Sequence, residues 1–365
     1  MIRILHVLGR LDCGGAETLV MNWYRNINRN EIQFDFVIHT EEECYYSAEI
    51  RRLGGRIFSV PRYSGFNHAN YITKWQIFFS DHPEYKIIHG HVRSTASIYL
   101  KIAKQMGLTT ISHSHSVSNG IGISSFIKNM FQKNIRYTSD YFFACSESAG
   151  IWLFGKEACK KDNFYVLKNA IDCDKYRFNS EIREQIRSDM NIECKFVVGH
   201  VGRFCSPKNH KFLLEVFKKV HQRNINSVLL LIGSGELENS IKNKTCDMGL
   251  SNSVIFLGNR SDVSDLLQGM DCFVFPSVFE GLGISLVEAQ ATGLPCVISD
   301  KVPKEAFIAK SLKILSLKQK KEEWAESVLK AGNGYIRKDM TGLIKKAGYD
   351  IKENAKWIER FYTSI

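Results

Sequence analysis

The chain has 365 residues, 44% of them hydrophobic, which is more than one hydrophobic core usually organises and points to two domains. Its formal charge of +11 favours an anionic partner, but the basic residues are dispersed and form no zinc-finger, RRM, KH or helix-turn-helix signature, so nucleic acid is not expected. No apolar run approaches the ~20 residues of a membrane span, no basic and apolar leader precedes Ile2, and ten scattered cysteines without a C-x-x-C pair read as reduced thiols; a cytoplasmic protein is expected.

In chain order, Ile2–Val7 reads as a buried strand, followed by a glycine turn and an amphipathic helix near Ala16–Ile27. Phe34–His39, Gly55–Val60, Lys86–His89, Thr109–His113 and Tyr141–Ala144 read as further strands, with helices near Tyr71–Ser80 and Ala96–Met106. Asn169–Arg187 is polar and weakly periodic. The pattern then restarts with the strand Phe196–Val201, a glycine turn and a helix near His210–Gln222, and continues through Ser227–Ile232, Val254–Leu257, Cys272–Phe275 and Cys296–Ser299. Strands alternating with helices specify parallel sheets covered on both faces. The expected class is α/β, with two doubly wound Rossmann-like domains, 1–170 and 171–345, facing across a cleft at the carboxyl ends of their strands. In the remaining segment, 346–365, an amphipathic helix over Asn354–Tyr362 is a candidate to return to the first domain.

The most informative stretch is Phe275–Asp300 (FPSVFEGLGISLVEAQATGLPCVISD). A strand ends near Phe275, a loop carries Glu280, Gly281 and Gly283 open the turn, and a helix from Ile284 holds Glu288. Glycines before a helix let backbone N–H groups approach an anion, and the helix dipole favours a diphosphate there. Glu280 is placed to meet a sugar and Glu288 to accept two hydroxyl hydrogen bonds, as from a ribose. Spacing alone leaves two solvated glutamates on a surface helix as an equal reading. Arg203 and Lys208, in the loop after a strand, are close enough to reach one diphosphate, although two solvated cations would give the same pattern.

The Phe275–Asp300 stretch resembles the E-x7-E signature of retaining GT-B glycosyltransferases, family 4 in particular. Three more segments match in order: Met1–Leu19 ending in GGAETL, Val201–Phe217 (VGRFCSPKNHKFLLEVF) and Leu231–Glu236 (LIGSGE). This resemblance implies a metal-independent retaining transferase that takes a hexose from a nucleotide sugar, UDP-linked by preference, to a glycan or lipid-linked glycan acceptor in cell-surface polysaccharide synthesis. It implies catalytic roles for Glu280, His115, Arg203 and Lys208, and donor binding by Gly15, Gly202, Gly233, Gly281, Leu282, Gly283, Ile284 and Glu288. It also implies front-face attack, in which the departing phosphate oxygen serves as base and no side-chain nucleophile is used. The family places a histidine after the strand TTISHSHS, and His115 matches best in register; alternation puts His113 on the same face, so both stay candidates, with His91 also on the acceptor side.

Three features compete with this reading. Asp172-Cys173-Asp174 is a D-x-D string, the metal motif of the other major glycosyltransferase fold, but it falls where the family carries a turn between domains, with Ala170 in place of the usual glycine. No metal and no cofactor are expected. A metal site at H-x-H lacks a convincing third ligand in the sequence. Phe126–Tyr137 (FIKNMFQKNIRY) reads as a basic amphipathic helix, packed on its own domain or in peripheral contact with an anionic membrane. Rival activities are a nucleotide-sugar 2-epimerase and a catalytically silent nucleotide-sugar-binding subunit.

Overall fold

The computed structural model describes every residue except Cys13 and residues 116–133, so the basic segment from Phe126 to Lys133 lies outside the described residues. Two compact units emerge, one of residues 1–170 with 351–365 and one of residues 171–350. The second division falls at Asp350/Ile351 rather than after residue 345, because the final helix, Ile351–Ser364, begins there.

The first unit is built on a seven-stranded parallel sheet of order β3-β2-β1-β4-β5-β6-β7. Its strands are β1 (Ile2–Val7), β2 (Ile32–Ile38), β3 (Ile57–Ser59), β4 (Ile87–Gly90), β5 (Thr109–Ser114), β6 (Tyr141–Ala144) and β7 (Phe164–Val166). Every residue of β2 and β4 is buried, as expected for strands covered on both faces. The helix after β1 spans Gly15–Asn26 and buries Leu19, Val20, Trp23 and Tyr24.

The C-terminal helix packs on this same unit. Trp23 donates its indole N–H to Asn354 Oδ1 (2.6 Å), and Asn354 donates to the Lys168 carbonyl (3.2 Å). Phe361 sits against the rings of Tyr141, Phe143 and Tyr165. Burying an aromatic or aliphatic side chain of this size stabilises by about 1.5–3 kcal/mol, so Ile358, Phe361 and Tyr362 anchor the helix firmly.

The second unit holds a six-stranded parallel sheet of order β10-β9-β8-β11-β12-β13. These strands are β8 (Phe196–Val201), β9 (Ser227–Ile232), β10 (Val254–Gly258), β11 (Cys272–Phe275), β12 (Cys296–Ser299) and β13 (Leu312–Leu315). In both sheets the strand order reverses beside the unit's first strand, at β1/β4 and at β8/β11, and loops diverging there leave a crevice at the strand carboxyl ends. Strands β7 and β13 were not expected from the sequence. Each is a short sheet edge with exposed positions, so neither shows the apolar run of a central strand. All nine described cysteines are free, and Cys272 and Cys296 are buried within strands.

Candidate active site

In the second unit, the loops after β8 and β11 carry the predicted charged residues. Ser206–Lys208 forms a short 3-10 turn with a proline near its start, and Asn209 then adopts a left-handed conformation (φ 56°). Asn209 donates to the Pro276 carbonyl (3.1 Å) and the Val278 N–H donates to Pro207 (2.9 Å), so the two loops are tied together. This pinning presents Lys208 to Glu280, with Nζ 2.8 Å from Oε1 and side chains only 18% and 9% exposed. The contact is an ion pair, and among the described residues that buried oxygen has no aligned hydrogen-bond donor. Lys208 also lies over the ring of Phe275, 4.6 Å from its centroid.

Arg203 is not in this inner group. Its side chain is exposed and pairs with Glu236 at 3.1 Å. A surface pair of this kind contributes about 0–1 kcal/mol, so Arg203 is free to exchange Glu236 for an anion. Glu288, in the helix Ile284–Ala291, accepts a hydrogen bond from the Tyr176 hydroxyl (2.9 Å), and burial pushes its carboxyl above the usual range. One of its acceptor positions is therefore already filled by a residue that sequence spacing did not reveal.

The glycines divide by physical role. Gly283 is the N-cap of that helix at φ +84°, a conformation that favours glycine. Gly233 sits at φ +130°, and a Cβ there would stand 2.4 Å from the Gly202 carbonyl oxygen. Gly202 and Gly233 thus hold the loops after β8 and β9 in backbone contact, a reason that the expectation of donor binding did not include. Gly281 lies half-buried in the loop before Gly283. The Leu282 side chain is buried in the core of the second unit and Ile284 packs against that core, so each can offer a ligand only its backbone. His200 and His210, absent from the sequence reading, lie with rings 4.8 Å apart; burial, with the nearby charge of Lys208, lowers His210 to about 4 and holds His200 well below its usual value. The D-x-D string forms a turn in which the Asp174 N–H donates to Asp172 (3.2 Å) and Lys345 pairs with Asp174 (3.1 Å).

In the first unit, the helix begins at Gly15, one residue earlier than expected, with Gly14 as an extended N-cap. Gly15 is exposed, and the nearest atom to a Cβ built there is Asn169 Nδ2 at 3.8 Å. A Cβ on Gly14 would instead meet Glu17 Oε2 at 2.1 Å, the far end of a flexible side chain that can turn aside, so neither glycine is required by rigid packing. Burial raises the Glu17 carboxyl to about 7.

The histidines form a larger cluster than the sequence suggested. Parallel register sets His6 of β1 opposite His89 of β4; His91 follows β4, His113 lies near the end of β5 and His115 follows it. His6 Nδ1 and His91 Nε2 share a hydrogen bond at 3.0 Å, His91 Nδ1 and His115 Nε2 one at 2.7 Å, and His89 Nε2 and His113 Nδ1 one at 3.2 Å. Tyr362 of the final helix meets His89 Nδ1 at 2.6 Å. Burial pushes His6 and His115 down to about 3 and His89, His91 and His113 well below the usual value, so all five rings are neutral. His6 was missed, although a polar residue inside the apolar run Ile2–Val7 was a signal for it.

Comparisons with known proteins agree with this architecture. Residues 13–175 match the family described as Glycosyltransferase Family 4, and residues 182–359 match Glycosyl transferases group 1. A Bacillus subtilis (strain 168) protein named glycosyltransferase EpsF is 32% identical over 360 residues, covering 96% of this chain and 94% of its own. An Escherichia coli UDP-Gal:alpha-D-GlcNAc-diphosphoundecaprenol alpha-1,3-galactosyltransferase is 30% identical over 231 residues, 60% of this chain and 58% of its own. The crystal structure of Anabaena HepE in complex with UDP and glucose superimposes with a TM-score of 0.79 over the whole of both chains at 16% identity. The chain belongs to the group 1, family 4 glycosyltransferases and has their GT-B fold.

Proposed function

We propose that the protein is a retaining hexosyltransferase that uses a UDP-sugar, without a metal at the diphosphate, and a lipid-linked glycan acceptor of cell-surface polysaccharide synthesis. The observation that carries this reading is the half-buried Lys208–Glu280 pair at the β8/β11 switch point, beside the glycine-opened start of the helix at Ile284. In the ligand-free chain the two charges neutralise each other. An arriving diphosphate draws Lys208 and Arg203 to itself, assisted by backbone N–H groups at Gly281–Ile284, and frees Glu280 to hold the sugar. As the glycosidic bond breaks, negative charge grows on the β-phosphate, and fixed cations stabilise it more than they stabilise the ground state. Glu288 and Tyr176 take the nucleoside ribose, Gly15 approaches the donor phosphate, and His91, His113 and His115 line the acceptor side. The acceptor hydroxyl attacks from the face that the leaving group departs, giving its proton to the phosphate oxygen. The donor base rests on the UDP seen in HepE and the UDP-sugar of the E. coli relative; the acceptor rests on the diphosphoundecaprenol glycans named for that relative and for a Campylobacter jejuni one. Contact with an anionic membrane fits such an acceptor.

A thermal-shift screen of UDP, GDP, ADP and common nucleotide sugars, with and without EDTA, tests this. Ligand at about one hundred times its Kd stabilises by about 2.7 kcal/mol, or roughly 5–10 °C for a domain of this size. The expected result is a shift with UDP and UDP-sugars that survives EDTA. No shift with any nucleotide, or one that EDTA abolishes, overturns the reading. Glu280→Ala is expected to keep UDP binding and lose turnover, and conversion of the nucleotide sugar without any acceptor would favour an epimerase instead.

A further inference from the structure

We propose that His91, His113 and His115 form a binding site for a divalent transition-metal ion of the zinc class. One ring nitrogen from each lies within 4.8 Å of one from each of the others. The sequence offered only paired H-x-H strings; the third ligand comes from the neighbouring strand, because β4 and β5 are adjacent and in parallel register. Zinc–nitrogen bonds of about 2.0–2.1 Å put tetrahedral ligands about 3.4 Å apart, so small ring rotations close the site.

The chemistry of the donor set selects the ion. Among the described residues none of the five clustered imidazoles is paired with a carboxylate, and burial keeps all of them neutral, which is the form that coordinates metal. An all-nitrogen set suits zinc, copper or nickel and not calcium or magnesium, which take oxygen. As core packing the cluster is expensive. Among the described residues, His113 Nε2 and His115 Nδ1 are buried with no hydrogen-bond partner, and a buried polar group left unpaired destabilises the fold. Coordination gives such a nitrogen a partner.

A second triad, His6, His89 and His91, also meets the distance criterion. There, however, His89 and His91 each have both ring nitrogens engaged, whereas among the described residues two of the three rings in the proposed set have one without a partner. The surrounding contacts fit as well. His113 Nδ1 meets His89, which meets the Tyr362 hydroxyl, an orienting chain of the kind that fixes the tautomer and angle of a ligating histidine. His115 is half-buried where the others are buried. The site lies in the first unit and leaves handling of the diphosphate by Arg203 and Lys208 unchanged. It makes the ion, rather than bare imidazole, the group on the proposed acceptor side.

The full chain, tag-free, stripped with EDTA and dialysed, is titrated with zinc chloride and, separately, cobalt chloride. One zinc per chain is expected by elemental analysis after gel filtration, with a visible cobalt absorption that zinc bleaches. His115→Gln and His91→Asn are each expected to weaken binding at least ~100-fold with far-ultraviolet circular dichroism unchanged, the scale at which loss of a supporting contact already costs ~10–100-fold. If either fails to fold, His89→Gln, which removes only the orienting contact, supplies the ~10–100-fold loss instead. Uptake well below one equivalent, or one equivalent unchanged by all three substitutions, overturns the proposal. Zinc binding is read independently of nucleotide binding, so failure of the UDP-sugar reading leaves this result standing and the converse holds too.

Discussion

The two units share a topology and differ in what they place at the same point of it. Each sheet reverses order beside its first strand, and each crevice is bordered by a glycine loop that starts a helix. In the first unit the strands beside that crevice and the residues just past them carry four buried imidazoles and the half-buried His115, all neutral and linked by hydrogen bonds. In the second, the same position carries a lysine and a glutamate in contact, with an arginine on the exposed rim. A neutral, hydrogen-bonding floor suits hydroxyls or a metal ion, and a charged one suits a diphosphate. The fold supplies the crevice; the side chains at the strand ends decide which chemistry it takes.

The largest expected effect lies in the charged half. Lys208→Met removes the cation for the leaving group and is expected to lower turnover about 10²–10³-fold. It also leaves the Glu280 carboxylate, only 9% exposed, without its partner, which costs about 3 kcal/mol of stability. Adding Glu280→Gln removes the stranded charge and should restore most of that stability while activity stays lost. Urea midpoints and initial rates for the two single variants and the double variant check this. A double variant no more stable than Lys208→Met would show that the pair does not interact in the way its 2.8 Å separation indicates.

Most of the second unit's candidate site was legible in the sequence, because its charged residues fall within two short segments, Arg203–Lys208 and Glu280–Glu288, whose spacing along the chain sets their spacing in space. What was missed there came from elsewhere in the chain: Tyr176 reaches Glu288 from a segment more than one hundred residues earlier, and no periodicity marks it. The first unit's cluster was harder to read. It draws on β1, β4, β5 and the C-terminal helix, and only the strand order β1-β4-β5 brings His6, His91 and His115 into a single hydrogen-bonded chain. The central strands were placed to within a residue or two by their apolar runs. The edges β7 and β13 were not, since an edge strand has fewer positions to bury. The glycines show a different limit: a G-x-G string looks alike whether backbone meets ligand, as proposed for Gly283, or backbone meets backbone, as Gly233 meets Gly202.

The second unit has its own neutral histidines, and these should make it acid-sensitive. His210 stacks on Phe204 with centroids 4.2 Å apart and, among the described residues, has no hydrogen-bond partner on either ring nitrogen. Burial, reinforced by Lys208, lowers it to about 4, against about 6.5 in an unfolded chain. Between those values the unfolded state binds more protons than the folded one. Stability is therefore complete above about pH 6.5 and falls by up to about 1.4 kcal/mol per unit as pH drops toward 4, or about 2 kcal/mol at pH 5. His210→Phe removes this segment of the dependence. Urea midpoints of the second unit at pH 7, 6 and 5, native and variant, provide the test, and parallel pH profiles would refute the assignment.

The smallest expected change in stability is the one that best separates fold from function in the first unit. Gly15 is exposed at the first position of its helix, and a Cβ there meets nothing nearer than 3.8 Å. Nothing in the local packing requires glycine, so Gly15→Ala should leave stability unchanged or raise it by about 0.4–1 kcal/mol through the loss of unfolded-state freedom. If a donor phosphate approaches the backbone at Gly15, the alanine variant is at least as stable as the native protein yet transfers sugar at least ~10-fold more slowly, because the added methyl holds the anion away from the N–H groups at the positive end of the helix. Full turnover in a stabilised Gly15→Ala protein would mean that the glycine serves only the turn, and that the donor is held by the second unit alone.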